Sequence, residues 1–210
     1  MREGRGIQDF GQYHKIKITS MVIPNILYDD RQFDDFPLLT WEMKRQGIRD
    51  YNICVPIMDN NVVKSINISQ KKIVRDAKER GDKECIIFEQ DIMFTADDAW
   101  EQFLKSKPES FDIFLGGSYL KDIDVKYVSP VTKVNAYIGH HCIIVSERYY
   151  DKFLETNETE HIDSAQSGRG EFYLCYPMVA LQRVGWSANN QVICDYNKGC
   201  GITEQDIYRG

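Results

Sequence analysis

The chain has 210 residues, 42% hydrophobic and 28% charged, enough for one globular domain with a real core. Its net charge of −6 argues against broad nucleic-acid binding, which needs a basic face, but leaves room for a local anion site. No run approaches the roughly 18 apolar residues of a membrane span. The polar start from Met1 to His14 has no signal-peptide core, so the protein is expected to be cytoplasmic, at most peripheral to a membrane. Six cysteines are present without a Cys-x-x-Cys pair, and Cys54, Cys85 and Cys142 sit in strand-like apolar runs as small hydrophobes. His140-His141-Cys142 is ligand-like but too short a pattern to support structural zinc.

In chain order, residues 1–14 are expected to form a flexible arm, 15–196 a single domain and 197–210 a weakly ordered tail. The first strand is predicted over Lys15 to Pro24, closed by Pro24-Asn25 and followed by the loop Tyr28-Asp29-Asp30-Arg31. A helix follows, capped by Asp34 or Asp35, with Pro37 in its first turn. Phe36, Leu39 and Met43 recur at helical spacing, Lys44 and Arg45 suit the last turn, and Gly47 ends it. Tyr51 to Ile57 is predicted as a strand. Ser69 is expected to open a basic helix from Gln70 to Arg80, with Ser69 and Lys72 in a first turn whose backbone N–H groups favour an anion.

The next strand, Cys85 to Asp91, carries the main functional signal. An apolar run ends in Glu89-Gln90-Asp91, and side chains two apart on a strand share a face. Glu89 and Asp91 would then repel unless a proton or a cation lies between them. A hard divalent cation bridging a phosphate-bearing substrate fits two such carboxylates; solvated acids at a strand end are the plain alternative. Thr95-Ala96-Asp97-Asp98 reads as a capping-box variant before a helix with Ala99, Phe103 and Leu104. Phe111 to Leu115 is a strand ending in Gly116-Gly117, which allows close approach of a ligand or merely a turn. Val125–Val128 and Val134–Ile138 are predicted as a hairpin. Cys142 to Val145 is a strand leading into a helix from Glu147 to Leu154 capped by Ser146. The polar loop Thr156 to Gly170 holds His161-Ile162-Asp163 and is long enough to be functional. Phe172–Tyr176 is read as a short helix, Met178–Gln182 as a strand and Trp186 to Asn190 as a loop.

Alternating strands and helices argue for a three-layer α/β fold, whose ligands gather at the carboxyl ends of strands. Asp30-Arg31, Ser69, Glu89-Gln90-Asp91 and Gly116-Gly117 all fall at or after such ends. The chain resembles the glycosyltransferase family 25 type, the lipopolysaccharide-biosynthesis glycosyltransferases of the GT-A fold. The resemblance covers about residues 18–190 and rests on three blocks. The first is Asp30-Arg31 with Gly47-Ile48. The second is Ser69-Gln70-Lys71-Lys72-Ile73 followed by Ile86-Ile87-Phe88-Glu89-Gln90-Asp91. The third is Ile144-Val145-Ser146, then Asp163, then Pro177, Gln182 and Ser187. Gln90 stands where the family has a middle acid, and Gln70 where a histidine usually follows the serine.

The resemblance implies a GT-A-like three-layer sandwich. Its nucleotide-binding, Rossmann-like N-terminal half would carry a mixed sheet, and the C-terminal part would be smaller and antiparallel. It implies a metal-dependent, inverting hexosyltransferase in cell-surface polysaccharide or lipopolysaccharide biosynthesis. The donor would be a nucleotide sugar, UDP-linked by preference, and the acceptor a saccharide or glycolipid. Asp91 and Glu89 would hold Mn²⁺ or Mg²⁺ for the departing diphosphate. Asp30, Arg31, Ser69, Lys72 and Gln90 would contact the donor, and Asp163 would act as general base. His140, His141, His161 and Asp163 are candidates for a third metal ligand, and the histidines are rivals for the base. Clustered carboxylates also serve metal-dependent phosphoesterases and nucleases, and the two glutamine departures keep a non-catalytic sugar-binding module in view.

Overall fold

A computed structural model describes residues 23–29, 31, 36–119, 125–187 and 189–210. Asp30, the caps Asp34 and Asp35, and the strand expected before Ile23 lie outside the described residues. Eleven strands and five α-helices are described: β1 (Asn25–Leu27), α1 (Phe36–Arg45), β2 (Asn52–Cys54), α2 (Val62–Arg80), β3 (Glu84–Glu89), β4 (Ile92–Phe94), α3 (Ala99–Ser106), β5 (Ile113–Leu115), β6 (Val131–Val134), β7 (Cys142–Ser146), α4 (Tyr150–Leu154), β8 (Phe172–Cys175), β9 (Ala180–Gln182), β10 (Gly185–Ser187), β11 (Val192–Cys194) and α5 (Tyr196–Gly199). Seven strands form one mixed sheet in the order β2-β1-β3-β7-β5-β8-β6, and β4-β9 and β10-β11 are small antiparallel pairs.

Strand alternation builds the three layers. Cys85 and Ile87 of β3, Ile143 and Val145 of β7, and Ile113 and Leu115 of β5 pack with Ile73, Val74 and Ala77 of α2 and Phe153 of α4. Their neighbours Ile86, Phe88, Cys142, Ile144 and Phe114 face Leu39 and Met43 of α1 and Ala99 and Phe103 of α3. Central strands buried on both faces read as continuous apolar runs, which is why β3, β5 and β7 were visible in the sequence. The fold is α/β, as expected, and among the described residues no helix is long and apolar enough to cross a membrane.

Several local expectations are corrected. Asn25 does not close a strand but starts β1. Its side chain donates to the Ile86 carbonyl (3.2 Å) and accepts from Asn52 (3.1 Å), so a buried amide is satisfied there. Helix α2 starts at Val62, not at Gln70. Asn61 caps it by accepting from the Lys64 N–H at 3.3 Å, and Gly81 ends it in the left-handed region, φ 76°. Ser69 is therefore mid-helix, buried, its hydroxyl donating to the Ser65 carbonyl (2.5 Å) and accepting from the Ile57 N–H (2.7 Å). Lys72 points outward to Asp76 at 2.5 Å. The anion site expected at their helix start is not formed. Asp98 and Ser146 precede helical turns without making a side-chain cap.

Gly116 and Gly117 serve close approach, but of protein. A Cβ at Gly117 would lie 2.0 Å from the Ala180 carbonyl, and one at Gly116 2.7 Å from Cys142 Sγ. The predicted Val125–Val128/Val134–Ile138 hairpin is replaced by one strand, β6, which pairs with β8. Phe172–Cys175 is that strand, not a helix, with Phe172 and Leu174 in the core. Trp186 and Ser187 belong to β10 rather than to a loop. The segment expected as a tail carries α5 and a 3₁₀ turn at Glu204–Asp206. It is tied back where Met178 N–H donates to the Asp206 carbonyl (2.7 Å) and Tyr208 N–H to the Met178 carbonyl (2.9 Å).

Candidate functional site

A cavity of about 590 Å³ opens at the carboxyl ends of β1 and β3, the place where open α/β sheets bind ligands. Leu27 pairs with Glu89 in the parallel β1–β3 register. The Asp29 N–H then donates to Gln90 Oε1 at 2.7 Å. Arg31 holds Asp29 with two contacts, 2.8 and 2.5 Å, at the cavity edge. The floor is acidic: Glu89, Asp91 and Asp163 all line it. Leu27, Pro56, Met58, Val62 and Ile66 give the lining apolar surface, and Val184, Trp186 and Tyr196 line it as well.

Glu89 and Asp91 come together, but not by strand alternation. β3 ends at Glu89 and the chain turns at Gln90-Asp91 into β4. Arg183 clamps that turn, donating to the carbonyls of Gln90 (2.8 Å) and Ile92 (3.0 Å), while its own N–H meets the Asp91 carbonyl (2.8 Å). One amide nitrogen, Gln182 Nε2, then donates to Glu89 Oε2 (3.0 Å) and to Asp91 Oδ2 (3.2 Å). Burial, reinforced by the charges of Asp91 and then Asp163, pushes the Glu89 carboxyl well above the usual range, against the opposing hydrogen bonds from Gln182 and Gln70.

Asp163 is fixed from both sides. Oδ1 accepts from the Ser164 N–H (2.7 Å) and Oδ2 from the Gly139 N–H (2.8 Å). Gly139 has φ 104°, a left-handed conformation in which a Cβ would meet His141 Nδ1 at 2.9 Å, so glycine is what lets the backbone reach the carboxylate. The loop carrying Asp163 is pinned to α2. Asn67 donates to the carbonyls of Asn157 (3.0 Å) and Glu160 (2.9 Å), and Lys71 donates to the Thr156 carbonyl.

The histidines are not equivalent. His140 is buried, with Nδ1 2.6 Å from Gln70 Oε1 and Nε2 3.0 Å from the Tyr137 hydroxyl. Both ring nitrogens are thus engaged, which removes it as a third ligand or base. His141 Nε2 lies 3.1 Å from the Ala180 carbonyl, and its other nitrogen is buried without a hydrogen-bond partner. Burial lowers both imidazoles to about 4, so they are neutral at pH 7. His161 stands exposed at the cavity rim.

Of the residues expected to contact a donor, Arg31 and Gln90 line the cavity, whereas Ser69 and Lys72 do not. Among the described residues, no group of three or more His, Cys, Asp or Glu side chains forms a preassembled metal cage. Tyr119, Gly139 and Arg183 were missed as site residues, and Gln70 and Gln182 were noted only as parts of motifs. The signal available was Gln182 itself, a polar residue ending the apolar run Val179-Ala180-Leu181.

No family model matches the chain, and no curated protein sequence matches it. Solved structures with similarity to it include A197 from STIV, at 13% identity and a TM-score of 0.46, covering 73% of this chain and 81% of that one. A mutant Drosophila β-1,4-galactosyltransferase in complex with manganese, UDP-Gal and xylobiose is similar at 15% identity and a TM-score of 0.35, covering 63% of this chain and 51% of that one. A mannose-1-phosphate geranyltransferase from Thermus thermophilus is similar at 8% identity and a TM-score of 0.42, covering 73% of each chain. At these values the likenesses carry no functional argument, and what the site does has to be argued from its own residues.

Proposed function

We propose that the cavity is the active site of a metal-dependent, GT-A-like glycosyltransferase that moves a sugar from a nucleoside-diphosphate donor to a saccharide or glycolipid acceptor. The observation that carries this reading is the convergence of Glu89, Asp91 and Asp163 on one cavity at the carboxyl ends of parallel strands. Two carboxylates at one turn, with a third facing them, fit a hard cation of the Mg²⁺ or Mn²⁺ kind. Such ions commonly take one or two protein carboxylates and complete their shell with substrate phosphate and water. A preassembled cage is therefore not required. The cation, held by Asp91 and Glu89, would offset the charge of the departing diphosphate.

The remaining roles belong to side chains of this chain. Arg31, at the cavity edge beside Asp29, would meet the donor's phosphates, and Gln90 fixes that loop through the Asp29 N–H. Asp163, the third carboxylate, is the base for the acceptor hydroxyl in an inverting transfer. Its two backbone N–H donors hold the carboxylate in place at the cavity. Trp186, in the cavity lining and 58% exposed, offers a flat apolar face for the acceptor ring. UDP as the nucleotide and a surface polysaccharide as product are carried over from the family resemblance alone.

The test is release of UDP from a panel of UDP-sugars with Mn²⁺, with and without a mixture of mono- and oligosaccharide acceptors. Release should need both metal and acceptor and fall by about 10²-fold or more in Asp163→Asn. Acceptor-independent cleavage of a phosphodiester would instead identify a hydrolase. Donor binding without turnover on any acceptor would identify a binding module.

A further inference from the structure

Helix α2 carries a polar residue, Gln70, on the face it turns to the core, fully buried beside two further buried polar groups, His140 and the Tyr137 hydroxyl. Burying three polar side chains where apolar ones would pack is costly unless each is satisfied, and here they satisfy one another in line. The Tyr137 hydroxyl meets His140 Nε2 (3.0 Å), His140 Nδ1 meets Gln70 Oε1 (2.6 Å), and Gln70 Nε2 meets Glu89 Oε1 (3.2 Å). The His140 ring is also held in plane, stacked on Phe153 (5.9 Å between centroids) and tilted against Tyr137 (5.5 Å).

From this we infer that Gln70, locked by His140 and Tyr137, is the positioning residue that orients the Glu89 carboxylate for the cation. The inference rests on the reading above that Glu89 is a cation ligand. An ionised carboxylate only accepts, so the Gln70 amide must turn its N–H to Glu89 and its oxygen to His140. A neutral imidazole has one N–H; placed on Nδ1 for Gln70, it leaves Nε2 to accept from the Tyr137 hydroxyl. With Glu89 ionised, as a cation ligand must be, only this direction of the chain is self-consistent, and flipping the amide would cost both hydrogen bonds. Gln182 holds the other Glu89 oxygen (3.0 Å). In the metal-free site each carboxylate oxygen is thereby met by one amide N–H, and Gln70 Nε2 is the donor that stays on Glu89 when a cation displaces Gln182. Partners behind a metal ligand tune affinity in this way, and their loss typically costs 10–100-fold.

The experiment is Mn²⁺ titration followed by electron paramagnetic resonance, with melting temperatures taken without metal. It uses the wild type, Gln70→Met, Gln70→His and Asp91→Asn. Methionine matches glutamine in length but has no N–H. Histidine restores one donor toward Glu89 and an acceptor toward His140. The inference expects Gln70→Met to bind Mn²⁺ about 10–100-fold more weakly with its fold intact, and Gln70→His to recover most of that loss. Equal affinity in Gln70→Met and wild type overturns it, as does equal weakening in both Gln70 variants. Should Gln70→Met not fold, Tyr137→Phe carries the test: a loss of about threefold supports the chain, and an unchanged affinity overturns it. Mn²⁺ that binds the wild type, fails on Asp91→Asn and is indifferent to Gln70 sinks this inference alone. Mn²⁺ that does not bind the wild type sinks the cation reading and this inference with it.

Discussion

Asp91→Asn separates the electrostatics of the site from its packing. The Asn oxygen still accepts from Gln182, so shape and hydrogen bonding are kept while one charge is removed. Glu89 and Asp91 accept from the same nitrogen at 3.0 and 3.2 Å, which places those oxygens within about 6 Å of each other. Two like charges at that distance repel by about 3 kcal/mol at an effective dielectric constant near 20. Asp91 is half-buried, and solvent screening roughly halves the figure to about 1–2 kcal/mol. Without metal, at a pH high enough to ionise the raised Glu89 carboxyl, Asp91→Asn should therefore raise the melting temperature by about 2–8 °C for a chain of this size. With Mn²⁺ at about 100 times its dissociation constant the order reverses: the wild type gains about 2.7 kcal/mol and the variant gains little. Differential scanning fluorimetry with and without chelator reads both effects. A variant no more stable than the wild type in chelator would refute the charge-crowding argument. An equal gain from Mn²⁺ in both proteins would refute the role of Asp91 as a ligand.

Acid should destabilise the protein through its buried histidines. His140 and His141 titrate near 4 when folded and near 6.5 when unfolded, so the unfolded chain binds more protons between these values. Stability should fall as pH drops through that window, by up to about 3 kcal/mol per histidine. Glu89, held high by burial, works in the opposite sense, its cost growing as pH rises. Urea midpoints that do not fall between pH 7 and pH 4.5 would count against the buried neutral histidines. Gly117→Ala would push a methyl group into the Ala180 carbonyl, two residues from Gln182. It should cost about 3 kcal/mol or more, visible as a collapse in melting temperature; a tolerated alanine would show that β9 has slack. Asn67→Ala removes two donors to the loop that carries Asp163 and should cost about 1–3 kcal/mol. It should also open residues 156–170 to limited proteolysis, and unchanged cleavage would mean the loop is held elsewhere.

The layers were legible because β3, β5 and β7 are buried on both faces and read as apolar runs, and because Leu39, Met43 and Gly47 marked α1 clearly. The start of α2 was not, since the face it buries is polar: Ser65, Asn67, Ser69, Gln70 and Lys71 are all buried. Hydrophobic periodicity cannot see a helix whose inner face hydrogen-bonds to a loop about 90 residues away in sequence. β8 was mistaken for a helix because Phe172-Tyr173-Leu174-Cys175 is an apolar run of only four residues, too short for periodicity to tell a strand from a buried helix. The carboxylates of the site were recognisable as a group, and Asp163 was placed with them by resemblance. What joins them was hidden: Gln182 and Gly139 arrive from a strand and a turn far along the chain, and the apolar run that Gln182 ends does not say which carboxylates it will face.

The Gln182 amide gives the proposed cation site one more property. Its N–H group already stands between Glu89 and Asp91, sharing the two carboxylates as a weak positive charge would. Loading a metal is then an exchange and not a simple addition. The incoming ion must evict the amide, or turn it so that its oxygen becomes a donor, and it surrenders part of its binding energy in doing so. A doubly charged ion can meet that cost, whereas a monovalent one of similar size gains too little from two carboxylates to displace the amide. Because Gln182 ends β9, which is paired with β4 just beyond the Gln90-Asp91 turn, the exchange acts directly on the strand pair that frames the cavity.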